Sequence, residues 1–264
     1  MVLIFACALI IFPFIVMVSN SLKPDMAVFT ELSLIPKQFK WDNYLAVWRE
    51  TSLPLLFRNS VVVTLLSTTL VVFVSSLGAY AFARMDFFGK KLIYFLILSA
   101  LLVPPQAVMV PMFMITRRFN LVNTYFALVG PYVTFGFPLC LFILTNYLES
   151  FPRAIEESAK IDGCSPFGIY WKIILPIIKP ALITVIVWQV IASWNEFLYA
   201  LLFMTEERMK TVPLAPLIYQ ASFGWTGWGK LFSLLTLIIV PVVLCFVFLQ
   251  KYFIKGLTSG AVKF

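Results

Sequence analysis

Glu156-Glu157-Ser158-Ala159-Lys160-Ile161-Asp162-Gly163, continuing to Ile173-Ile174-Leu175-Pro176, is the longest water-compatible run lying between two long apolar segments. Its first half reads as a short helix. Ser150 stands as a candidate N-cap, Pro152 falls in the first turn, and Glu156 and Glu157 sit near the positive helix end. Glu156 and Lys160 have the spacing of an i,i+4 ion pair. Asp162-Gly163 then stops the helix, because glycine accepts the left-handed conformation that other residues resist. Ser165-Pro166 starts a second helix, Phe167, Tyr170, Trp171 and Ile174 recur at helical spacing, and Pro176 is expected to end it. The stretch predicts a helix, a sharp turn and a helix outside the hydrocarbon.

The flanking composition defines the setting. Of 264 residues, 61% are hydrophobic and 12% charged, with a mean hydropathy of +0.96. A water-soluble domain of that composition would expose far too much apolar surface, so the chain belongs in lipid. Its net charge of +8 is spread over the loops and not gathered into a nucleic-acid patch. The absence of histidine excludes histidine metal sites and histidine general bases. Cys7, Cys140 and Cys245 lie in apolar segments and Cys164 in the central loop, a spacing that gives neither a disulfide framework nor a zinc site.

Six apolar segments are read as membrane spans, near residues 1–22, 57–83, 92–116, 121–146, 180–205 and 231–251, with the loop 149–179 between the fourth and fifth. The fold expected is an all-α membrane protein, one transmembrane domain covering 1–264. The first segment lacks the basic start and the cleavage site of a signal peptide, so it reads as a retained span. The chain begins inside that span, with the expectation of a basic tail that is absent or unusually short. Pro104-Pro105-Gln106 and Pro111 interrupt the third span, and such breaks release backbone carbonyls that must be buried in protein or face a cavity. Ser60, Thr64, Ser67, Thr68 and Ser75 share roughly one face of the second span, which suits close helix packing or a polar path. Lysines and arginines divide evenly between the two sides, so charge bias does not orient the chain.

The order Glu157-Ser158-Ala159, Gly163, Ile173, Leu175-Pro176 resembles the Glu-Ala-Ala loop of ABC-type importer permeases, with serine in place of the first alanine. Trp194-Asn195-Glu196-Phe197, Gly78-Ala79-Tyr80-Ala81-Phe82-Ala83-Arg84 and the tail Gly256-Leu257-Thr258-Ser259-Gly260-Ala261-Val262-Lys263 are similar to the carbohydrate-importing branch of that family, and to its maltose-type second permease subunits. The resemblance implies a cytoplasmic coupling helix that docks on an ATPase through Glu156, Glu157, Ser158, Ala159, Asp162, Gly163, Ile173, Leu175 and Pro176. It implies a second, different permease subunit, two ATPase subunits and an extracytoplasmic sugar-binding protein as partners. This chain would then be no enzyme and bind no cofactor, with ATP and Mg in the partner ATPase. The location implied is the plasma (inner) membrane of a prokaryote. The function implied is alternating access for a sugar or oligosaccharide. An importer of another polar solute, such as a glycerol-phosphate or polyol, is the nearest alternative, and a membrane-embedded enzyme or assembly factor belongs to a different class.

Two further features carry candidate roles. Glu196 is the acidic residue deep in a predicted span, where a carboxylate costs about 2.5 to 3.5 kcal/mol on insertion scales and therefore needs water or a hydrogen-bonding partner. Trp194, Asn195 and Glu196 could line the path or its gate; a buried interhelical hydrogen bond is the equal alternative. Gly224-Trp225-Thr226-Gly227-Trp228-Gly229-Lys230 has the glycine and lysine spacing of a phosphate loop, but Leu231 replaces the hydroxyl residue that would hold magnesium. It reads instead as an aromatic turn, and the resemblance implies that Gly224, Trp225, Gly227 and Trp228 touch the binding protein. Interfacial anchoring by the tryptophans is the competing reading.

Overall fold

The computed structural model describes residues 1–223 and 227–259, and every regular element among them is helical. Gly224, Trp225 and the tail from Gly260 therefore lie outside the described residues. Intrachain contacts divide the chain into two units, one of Met1–Ser60 with Glu206–Leu244 and the other of Val61–Thr205 with Cys245–Phe264.

In the first unit, the apolar helix α1 (Val2–Ser21) leads to two short helices, α2 (Asp25–Thr30) and α3 (Asp42–Glu50). Hydrogen bonds from buried polar side chains fasten these pieces together. The Asn43 amide donates to the carbonyls of Ser21 and Lys23 at 2.9 and 3.0 Å. Lys23, 3% exposed, turns its ammonium onto the Glu31 carbonyl. The loop from Glu206 runs into α13 (Ala215–Phe223), and α14 (Trp228–Ser259, in this unit as far as Leu244) follows. That loop is held by Asn59, which donates to the carbonyls of Arg208 and Lys210, both at 2.9 Å. At the start of α14 the Gly229 amide donates to Asp25, and a β-carbon there would lie 2.4 Å from the Lys23 carbonyl, so only glycine fits.

In the second unit, α4 (Leu53–Arg84, described here from Val61) packs with α7 (Tyr125–Glu149) and α11 (Lys179–Trp194). Leu141, Leu144 and Leu148 from α7 recur at helical spacing and meet Ile174, Ile178, Ala181 and Val185, all fully or almost fully buried. The serines of α4 serve packing: Ser67 bonds Ser193 at 3.0 Å and Ser76 bonds the Tyr170 hydroxyl at 2.7 Å.

Four helices among the described residues are long and apolar enough to cross a membrane, or up to six when each of two bent pairs counts as one span. One bent pair joins α5 (Lys90–Ser99) and the turn to Leu102 with the segment Pro105–Arg118, which contains α6 (Met109–Arg118), at 96°. The predicted interruption of the third span at Pro104-Pro105 is thus a sharp bend. The fifth span, read from sequence as continuous over 180–205, differs. Helix α11 ends at Trp194, residues 195–197 break it, and α12 (Leu198–Phe203) resumes. At 1.5 Å per residue, α11 covers about 24 Å, short of a hydrocarbon core of about 30 Å.

The central loop follows its expected outline with three local corrections. Its first helix, α8 (Ala154–Ile161), begins with Arg153 at the N-cap position, while the Ser150 hydroxyl bonds back to the Tyr147 carbonyl and caps nothing ahead of it. Glu156 faces inward and pairs with Arg84, so the expected pair with Lys160 does not form. Pro176 does not end the second helix: α9 (Pro166–Ile169) passes through a wide π turn, Tyr170–Ile174, into α10 (Leu175–Ile177), and the break falls at Ile178 with a 75° bend into α11. A proline at 176 offers no N–H to the Lys172 carbonyl, and a π turn is a common way for a helix to absorb such a defect.

Candidate functional site

The segment from Arg153 to Ile178 is held from inside and exposed on its outer face. Arg84, at the end of α4, donates through Nε to the Glu156 carboxylate and through Nη2 to the carbonyls of Leu148 and Phe151 at 2.9 and 3.0 Å. Both side chains of this pair are only 6 and 7% exposed. Arg153 returns the tie by donating to the Ala83 carbonyl at 3.2 Å. Ala159 faces the same interior, where a small side chain lets α8 approach the core. Ser158 lies on the exposed side and bonds its own helix at the Ala154 carbonyl, which explains how serine replaces alanine there.

The turn after α8 closes as a Schellman motif. The Cys164 amide donates to the Ala159 carbonyl and the Gly163 amide to the Lys160 carbonyl, each at 3.0 Å, with Gly163 at φ +81°. Ser165 then caps the next helix by accepting from the Gly168 amide at 3.2 Å. Of the predicted coupling residues, Glu157, Ser158, Asp162, Gly163 and Pro176 are exposed, Ile173 and Leu175 are half-buried, and Glu156 and Ala159 are buried. Around them the surface shows Ile155, Ile161, Phe167 and Trp171, 46 to 86% exposed. This is an apolar, acid-edged face on a firmly tethered base.

A second feature lies where the bend at Pro105 and the break after Trp194 meet α7. A cavity of about 320 Å³ is lined there by Pro105, Gln106, Tyr132, Phe135, Gly136, Trp188, Gln189, Ser193, Glu196 and Tyr199 together with neighbouring apolar residues. Glu196 bridges two elements. Its Oε1 accepts from the Tyr199 amide at 2.9 Å, and its Oε2 from the Ala200 amide at 3.2 Å and the Tyr132 hydroxyl at 2.9 Å. The carboxylate thus caps the first turn of α12 while facing the cavity. Tyr199 donates its hydroxyl to the Pro105 carbonyl at 2.8 Å, occupying a carbonyl at the bend. Asn195 and Trp194 are not in the lining: the Asn195 amide turns back to the Ile191 carbonyl, and Trp194 is buried.

Gln189, 2% exposed, donates to the Tyr132 carbonyl at 3.3 Å and to Ser193 Oγ at 3.0 Å. Its side chain lies against Gly136, where a β-carbon would stand 2.1 Å from Oε1. Sequence reading missed Arg84 as an anchor, and missed Gln106, Tyr132, Trp188 and Gln189, since the segments that meet around Arg84 and around the cavity are far apart in the chain. Gln106 and Gln189 could have been found by asking, as for Glu196, which polar side chains fall within apolar segments.

In the loop before α14, Gly227 has φ +82° and its carbonyl accepts from the Tyr219 hydroxyl at 3.3 Å. Trp228 meets Phe29 edge to face with ring centroids 5.3 Å apart, so it is partly spent on packing. Burial, reinforced by Glu50 and Asp25, pushes the Tyr219 phenol up to about 12. Lys230 bonds both carboxylate oxygens of Glu50 at 2.8 Å, which removes it from any phosphate role.

Residues 72–259 match the family described as the binding-protein-dependent transport system inner membrane component, and the chain belongs to that family. It is 36% identical to the trehalose/maltose transport system permease protein MalG of Thermococcus litoralis, with 96% of this chain and 91% of that protein covered. It is 35% identical to the arabinooligosaccharides transport system permease protein AraQ of Bacillus subtilis, over 97% of this chain and 91% of that one. A crystal structure of a bacterial ABC transporter involved in the import of the acidic polysaccharide alginate contains a chain with the same fold, at TM-score 0.83 and 22% identity over 96% of this chain and 94% of that one.

Proposed function

We propose that this chain is the permease subunit of an ATP-driven sugar or oligosaccharide importer, acting with a second, different permease, two cytoplasmic ATPases and an extracytoplasmic binding protein. The sugar assignment draws on relatives named for trehalose, maltose and arabinooligosaccharides. The observation that carries the coupling role is the outward apolar face of α8 to α10 on its Arg84–Glu156 anchor. An ATPase cleft that engages Ile155, Ile161, Phe167 and Trp171 would bury that face, and the firm base would pass the ATPase movement through Pro176 and Ile178 to α11. The segment then lies in the cytoplasm and the chain in the plasma membrane of a prokaryote. ATP and Mg belong to the ATPase, and this chain needs no cofactor of its own. We assign contact with the binding protein to Gly227 and Trp228, together with Gly224 and Trp225, which are near them in the sequence.

The test is reconstitution. The four-subunit complex in proteoliposomes, with its binding protein, should take up radiolabelled trehalose, maltose or arabinotriose only when ATP is present on the ATPase side. Failure of this chain to copurify with an ATPase would overturn the coupling role, and ATP-driven uptake of none of these sugars would overturn the substrate class.

A further inference from the structure

The cavity beside Glu196 has a chemistry that coupling alone does not use. We propose that it is a saccharide subsite belonging to this subunit, in which a neutral pyranose ring stacks on Trp188 and hydrogen-bonds the side-chain amides of Gln189 and Gln106. The proposal rests on the sugar-importer reading above and assigns that reading a place and a charge preference in this chain.

Three observations converge on it. First, the wall combines aromatic surface with a few placed polar groups, and its volume of about 320 Å³ stands at the small end of ligand pockets, which run from about 300 to 1,000 Å³. Trp188 is 49% exposed, an indole on the apolar helix α11, with Phe135 and Tyr199 in the same wall. A pyranose offers a C–H face to such rings and a hydroxyl edge to amides. Second, Gln189 Oε1 is buried without a hydrogen-bond partner among the described residues. Its orientation is fixed, because the Tyr132 carbonyl can only accept and so must face the amide nitrogen. A buried acceptor left open calls for an explanation, and a sugar hydroxyl is a donor of the right kind. Third, the two helix breaks at Pro105 and at residues 195–197 both border the cavity, and interrupted spans at membrane depth are tolerated where they line one.

Charge narrows the ligand. Among the described residues the lining contains the Glu196 carboxylate and no lysine or arginine. A uronate or sugar phosphate would bring a second negative charge into a low-dielectric wall with no cation to receive it, which selects against acidic sugars. The alginate transporter, whose cargo is an acidic polysaccharide, shares this fold, so the preference must come from side chains and not from the architecture.

The experiment uses the complete complex in proteoliposomes with its binding protein, and trehalose and maltotriose as neutral probes. Trp188→Ala and Gln189→Leu should assemble with their partners yet move at least fivefold less sugar per ATP hydrolysed. Should Gln189→Leu fail to assemble, Trp188→Ala still decides, because that side chain is half exposed. In a background without the native cysteines, Ala192→Cys in the cavity wall should react with a thiol reagent more slowly when the transported probe is present during turnover. Wild-type stoichiometry in Trp188→Ala, or labelling of Ala192→Cys indifferent to sugar, would overturn the subsite and leave the cavity to a lipid chain or a partner helix. A wild-type complex that couples ATP hydrolysis to neither probe would instead fail the sugar-importer reading, and the subsite with it.

Discussion

Replacing Arg84 by methionine removes the charge that neutralises Glu156, the bond it makes to α8, and two bonds to carbonyls just ahead of α8. Both side chains of the pair are over nine-tenths buried, so solvent screening does little to soften the loss. Deleting one member of a buried pair typically costs about 3–5 kcal/mol, because the other is left charged and uncompensated. Here the carbonyls of Leu148 and Phe151 lose their donor as well. The cost falls on the seating of α8 and not on the spans, which keep their own cores. Insertion should therefore persist while the segment from Arg153 to Gly163 loosens. The double variant Arg84→Met/Glu156→Met removes both charges together and should recover part of the loss, as the apolar replacement of buried pairs commonly does. The assay is a double-mutant cycle on thermal stability of the detergent-solubilised complex, read beside protease cleavage after Lys160. Equal cleavage in wild type and Arg84→Met, or a double variant as damaged as the sum of the singles, would refute the reasoning.

Gly163→Leu should strain a left-handed turn by about 1–2 kcal/mol and reduce copurification with the ATPase, measured against wild type at equal membrane insertion. Gly136→Ala should lower the melting temperature of the complex by driving a β-carbon into Gln189, at an overpacking cost of about 1–3 kcal/mol, and Gly136→Ala/Gln189→Ala should recover part of it. Leu32→Cys, fully exposed in the first loop, should react with an impermeant maleimide from outside intact cells, and Lys160→Cys only after permeabilisation; the reverse pattern would invert the topology. Tyr219 holds its proton more tightly folded than unfolded, so its contribution is complete below about pH 10 and is lost as pH rises towards 12. Phenolate absorbance of wild type minus Tyr219→Phe should show a titration displaced upward from that of free tyrosine.

The elements legible in the sequence were those whose causes are local. Gly163, Ser165 and Pro166 carry their own conformational instructions, so the turn and the second helix start were visible within a few residues. Arg84 was visible only as the end of a motif, since its partner lies on a segment that the chain reaches after two further spans. The Ser150 cap failed for a related reason: Arg153 ties α8 to the Ala83 carbonyl, and tertiary bonding placed the helix start later than local preference did. The break after Trp194 carries no proline or glycine, and it becomes understandable only once Glu196 is seen taking the amides of Tyr199 and Ala200. Glu196 itself was findable because a carboxylate inside an apolar run is costly, whereas Gln189 and Trp188 are ordinary enough in spans to pass unnoticed.

The exposed side chains of Ile155, Ile161, Phe167 and Trp171 also bear on how the cell handles this subunit. A copy synthesised ahead of its partners carries an adhesive patch beside the bilayer, of the sort that invites aggregation and draws chaperones and proteases. A partner that covered the patch would then protect the subunit from that fate. Abundance of the permease would follow the supply of the protein that covers it, and overexpression alone would yield turnover in place of accumulation.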